Sequence, residues 1–75
     1  MEYTVLIHQA EEGGFWSEVP ALPGCYSQGE TIDETLNNAK ESIEAHLMAL
    51  KENQAAAPIE ERLFIGKVRV EVAEL

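Results

Sequence analysis

The chain has 75 residues, enough for one domain over residues 1–75, and its 45% hydrophobic content fits a globular protein and not a disordered one. Fourteen acidic residues against five basic ones give a net charge of −9, which repels phosphate backbones and argues against direct nucleic-acid binding. No apolar run approaches the roughly 20 residues that span a bilayer, so no membrane association is expected.

The first predicted strand covers residues 3–10, where Tyr3, Val5 and Ile7 alternate with Thr4, Leu6 and His8. "EEGG" then reads as a hairpin turn. A second strand covers residues 15–19 and is stopped by Pro20, which cannot donate to a sheet ladder. In "VPALPGCYSQGET", Pro23-Gly24 fits the central pair of a type II turn, because proline presets the first φ and glycine supplies the positive second one. Residues 25–28 make a short third strand closed by Gly29.

Thr31 and Glu34 have the spacing of a capping box. Ile32, Leu36, Ala39, Ile43, Leu47 and Leu50 follow at helical spacing, which predicts a helix from Ile32 to Glu52 ended by Asn53 and "QAAAP". Pro58 is placed to open a short helical turn through Arg62. A last strand is predicted over residues 64–72, with Val68, Val70 and Val72 opposed to Lys67, Arg69 and Glu71. The order is β-β-β-α-β, an α+β fold in which one helix covers one face of a mainly antiparallel sheet.

The alternation assigns the faces. Val5, Ile7, Phe15, Val19, Val68, Val70 and Val72 face the helix, and the small Ser17, Cys25 and Ser27 on that face let it lie close. The outer face carries Leu6, His8, Trp16, Glu18, Tyr26, Gln28, Lys67 and Arg69. Leu6, Trp16 and Tyr26 there have two readings, ordinary cross-strand packing or an interface.

Nothing in the chain spells a reaction centre. Cys25 has no neighbouring cation to stabilise a thiolate, and it points to the core. His8 and His46 lie far apart and show no metal-ligand spacing. The first strand carries no carboxylate, so no acid cluster of the kind two-metal chemistry needs is gathered there. The glycines match no nucleotide loop. No cofactor, metal or catalytic residue is expected. A single cysteine and an N-terminus without a signal-peptide pattern point to the cytoplasm. A domain this small buries only about 60% of its unfolded surface, so self-association, most simply a homodimer, is expected.

The stretch "GGFWSEVPALPGCYSQGETIDETLNNAKESIEAHL", residues 13–47, resembles the HicB family of antitoxins. The glycine and aromatic pair, "P-x-LPGC", "G-x-T" and "E-x-x-x-NA-x-E-x-I" carry the resemblance. It implies a partial ribonuclease-H-like fold lacking that fold's catalytic acids. It also implies a partner, the HicA toxin, a small RNA-cleaving protein with a double-stranded-RNA-binding-like fold. Many family members carry a C-terminal DNA-binding domain and repress their own operon; this sequence reads as the N-terminal domain alone.

Two functions compete on these grounds with a remnant enzyme. The first is an antitoxin that neutralises a basic HicA-like toxin, and the second is a stand-alone homo-oligomeric module. For the first, a buried anchor is needed beside charge, because charge alone gives a loose, salt-sensitive complex. Trp16 and Tyr26 are the candidate anchors, with Leu6 beside them and Glu18 and Glu30 as electrostatic neighbours.

Overall fold

A computed structural model describes residues 1–73. Three strands, β1 (Leu6–Gln9), β2 (Phe15–Glu18) and β3 (Tyr26–Gly29), form an antiparallel sheet in the order β1-β2-β3. Helix α1 (Ile32–Glu52) packs across one face, over β3 and, less closely, β2. The helix has the bounds its apolar period predicts.

Local chemistry fixes each joint. Between β1 and β2 the amide of Gly13 donates to Ala10 O at 3.1 Å, and that of Ala10 donates to Gly14 O at 3.0 Å. Between β2 and β3 the amide of Cys25 donates to Leu22 O at 3.0 Å, and Gly24 takes φ +86°, as a type II turn over Pro23-Gly24 requires. Thr31 caps α1, its Oγ1 accepting from the Glu34 amide at 3.0 Å. At the other end Gln54 is left-handed at φ +57°. The amides of Gln54 and Ala55 return to Lys51 O and Leu50 O, a Schellman closure.

The core is thin. Val19, Leu22 and Cys25 form its centre, with Tyr3, Val5, Ile43 and Leu47 packed against them. Beside it runs a polar seam. Ser17 Oγ meets Ser27 Oγ, Ser27 Oγ donates to Thr35 O at 3.1 Å, and Thr35 Oγ1 donates to Thr31 O at 2.8 Å. Ser17 and Thr35 are fully buried, and every buried side-chain polar atom described has a partner. With Ala39 also buried, these small groups let α1 approach the sheet closely. Gly29 is part of the same fit: a Cβ there would lie 2.7 Å from the Thr35 amide nitrogen.

Three expectations need correction. The strand over residues 64–72 is not formed, nor is the helical turn from Pro58, and no residue from 55 to 73 lies in a helix or strand. Val68, Val70 and Val72 therefore do not face the helix, and Lys67 and Arg69 do not join the outer sheet face. A strand needs a neighbour for its backbone groups, and beyond Glu60 the chain leaves the sheet, with residues 61–73 exposed on both sides. The third correction concerns α1. Its buried line runs through Thr35 and Ala39, while Ile32 and Leu36 of the expected stripe are exposed. The stripe is wider than the three-stranded sheet beneath it.

Candidate functional site: the outer face of the sheet

The two hairpin registers build this face. Leu6, Glu18 and Tyr26 stand in one cross-strand row, and His8, Trp16 and Gln28 stand in the next. Side chains directly opposite in antiparallel strands share a face, so all six point away from α1. Trp16 lies at the middle. The His8 ring stacks on it with centroids 4.2 Å apart and planes 20° from parallel. Tyr26 tilts against it from the diagonal position, at 6.3 Å and 53°. His8 Nε2 donates to Glu18 Oε2 at 2.7 Å, so the carboxylate steers the imidazole onto the indole.

That arrangement orders an exposed aromatic surface. Trp16 is 37% exposed and Tyr26 62%. A surface pair such as His8–Glu18 contributes only about 0–1 kcal/mol, and an aromatic pair about 0.5–1.5 kcal/mol. Their larger effect is to hold Trp16 in place before any partner arrives, which lowers the entropy lost on binding.

Next to the aromatic row an open cleft of about 870 Å³ lies between the β1–β2 turn and the start of α1. His8, Trp16 and Gln28 contribute to its lining, as do Glu11, Glu12, Glu30 and Glu34. The Glu30 carboxylate lies against Gly14, whose φ of +74° and close approach to Gly29 O leave no room for a side chain. Apolar area and negative charge thus share one concave surface.

The structure brings Trp16, Glu18 and Tyr26 together and sets Leu6 in the same row as Glu18, half-buried. Glu30 lies outside those two rows and lines the cleft together with Trp16. The residue absent from the sequence-based set is His8, whose partners follow from the hairpin register rather than from its own neighbours. The alternation already placed it on this face; what was missing was the turn length that sets it opposite Trp16.

Cys25 is 4% exposed, with Sγ donating to Ser42 Oγ at 3.6 Å. Among the described residues no three His, Cys, Asp or Glu side chains are placed to hold a metal ion. No described helix is long and apolar enough to cross a membrane. Asn38 Nδ2 donates to Gln28 O at 2.7 Å, and Ser42 Oγ donates to Tyr26 O at 3.1 Å, so α1 satisfies two carbonyls on the free edge of β3.

Comparison with known proteins agrees with this architecture. The crystal structure of the N-terminal domain of the Burkholderia pseudomallei antitoxin HicB superposes with a TM-score of 0.67 at 31% identity, covering 91% of this chain and 74% of that one. A UPF0150 protein of Thermoplasma acidophilum is 47% identical over 58 residues, 77% of this chain and 84% of the relative. Another, from Synechocystis, is 45% identical over 71 residues, 95% of this chain and 94% of the relative. The profile described as "HicB_like antitoxin of bacterial toxin-antitoxin system" matches residues 3–70, and the chain belongs to that family.

Proposed function

We propose that this chain is an antitoxin that neutralises a small, basic, RNA-cleaving protein of the HicA type by covering its RNA-binding surface. The observation that carries the reading is the pre-ordered His8–Trp16–Tyr26 array beside an acidic cleft. A protein that grips RNA must present positive charge. The acidic face attracts that charge and speeds encounter, and the aromatic array supplies the desolvated anchor that holds the complex. Trp16 and Tyr26 are the anchors in this reading. Leu6 and Glu18 flank them, and Glu30 meets the partner across the cleft.

The same reading makes the chain a binding module with no reaction of its own, acting in the cytoplasm and touching nucleic acid only through its partner. Co-expression with the product of the neighbouring reading frame tests it. A short basic protein should co-purify with this chain, and its RNA cleavage should cease in the complex. Separate elution, or cleavage undiminished by excess antitoxin, would contradict the reading.

The second reading is a stand-alone homo-oligomeric module. The observation in its favour is the exposed apolar segment at residues 63–72, which packs against no element among the described residues. Self-association is compatible with either function.

A further inference from the structure

Two unpaired surfaces in this molecule fit each other. One is the segment after Glu60. Leu63, Phe64, Ile65, Val68, Val70 and Val72 are all exposed, Val68 by 84% and Val70 by 74%. From Lys67 the segment alternates charged and apolar residues with the period of a half-buried strand. It also makes the molecule long, 53 × 28 × 17 Å, with a radius of gyration of 15.5 Å, where about 11 Å is usual for a chain of this length.

The other surface is the open side of the body. On the free edge of β3 the carbonyls of Tyr26 and Gln28 are already taken by Ser42 and Asn38 of α1, and β1 is the other edge of the sheet. Between α1 and the chain that leads into β1 runs a groove of about 400 Å³, lined by Tyr3, Val5, Leu36, Ile43 and Leu47 among others. It exists because the apolar stripe of α1 overhangs the three-stranded sheet. A fourth strand on β1 would point its inward side chains into that groove.

Charge favours the match. Residues 1–61 hold twelve acidic residues and two lysines, while the remaining fourteen hold Arg62, Lys67 and Arg69 against two acids. The segment is a weakly basic arm on a strongly acidic body. Its start is tied down, since Thr4 Oγ1 donates to Glu60 Oε2 at 2.9 Å and Tyr3 Oη donates to Pro58 O. Beyond that anchor the arm projects away from its own groove.

We infer that residues 63–72 form the fourth strand of a second copy, adding to its β1 edge with Val68, Val70 and Val72 over its Tyr3–Val5–Ile43 groove. The exchange is reciprocal. The two arms cross at a two-fold axis and both grooves are filled, so the exchange closes at two copies. The inference is independent of toxin binding, because it uses the helix-side groove and leaves the Trp16 face free.

The test uses the full chain. Sedimentation at micromolar concentration should give twice the 8.3 kDa chain mass. Val70→Asp, at a position exposed in the single chain, should keep its helical circular dichroism and sediment as the monomer. A mixture of 13C-labelled and unlabelled chains should show intermolecular nuclear Overhauser effects from Val68 and Val70 methyls to Val5 and Ile43. A monomeric wild-type chain overturns the inference. So does a dimer unaffected by Val70→Asp, which would associate through another face. Effects seen only within one chain would show the arm folded back on its own groove, and effects appearing only to an added toxin would assign the arm to that partner; either result overturns the exchange.

Discussion

The buried hydroxyl seam makes a sharp stability prediction. Ser27 Oγ has one proton and donates it to Thr35 O, so Ser17 is the donor to Ser27. Ser27→Ala therefore strands a buried O–H on Ser17, at a cost of about 1–3 kcal/mol. Ser17→Ala removes one bond but leaves Ser27 satisfied by Thr35, so it should cost only about 1 kcal/mol. The double variant has no stranded donor. It should cost no more than Ser27→Ala alone, giving a coupling of about 1 kcal/mol between the two sites. Urea unfolding of all four proteins at one fixed concentration measures this, provided the slope with denaturant is unchanged. Additive costs, or Ser17→Ala as the worse single change, would refute the donor assignment.

Other changes probe the joints of the fold. Gly29→Ala should lower stability by about 1–3 kcal/mol, because its methyl group would meet the Thr35 backbone and push α1 off β3; an unchanged urea midpoint would contradict that packing. Gln54→Gly should raise stability by about 1 kcal/mol by relieving the left-handed residue that ends α1, seen as a higher urea midpoint. Cys25 should react slowly with a thiol reagent in the folded protein, and Cys25→Ala should cost about 1–2 kcal/mol without impairing partner binding; rapid labelling under native conditions would count against its burial.

What the sequence discloses follows from which forces are local. The helix bounds are legible because Thr31 caps one end, the apolar period runs to Leu50, and Asn53 caps the other end. Both hairpins are legible because glycines mark the turns and the alternation on either side agrees with one register. Leu22 is fully buried yet escapes a reading by alternation, since it enters the core from a loop and belongs to no strand. The His8–Trp16 stack depends on register, which is fixed only when turn length and pairing are known together. The segment over residues 64–72 has the pattern of a strand and is not one within this chain. Pattern reports what a segment suits; pairing requires a neighbour, and none of the described residues supplies it. The width of the α1 stripe carries the same information from the other side, since Leu36, Ile43 and Leu47 exceed what three strands cover.

The family motif acquires physical content in the structure. Within "E-x-x-x-NA-x-E-x-I", Asn38 bonds the Gln28 carbonyl on the β3 edge, Ala39 is the buried close-contact point, and Ile43 lines the groove between α1 and the chain that leads into β1. In "P-x-LPGC", Leu22 and Cys25 fill the core on either side of the turn. These residues build the scaffold. The surface proposed to meet the toxin lies on its opposite face.

The binding kinetics of Trp16→Ala test that proposal most directly. The toxin is captured, and association and dissociation of wild-type and variant chains are followed at several salt concentrations. A central aromatic anchor is commonly worth 2 kcal/mol or more, so dissociation should quicken by about tenfold or more. Association should change little, whereas Glu18→Lys should slow association and flatten its salt dependence. If Trp16→Ala stays folded, keeps the wild-type oligomeric state and binds with unchanged rates, the outer sheet face is not where this antitoxin holds its toxin.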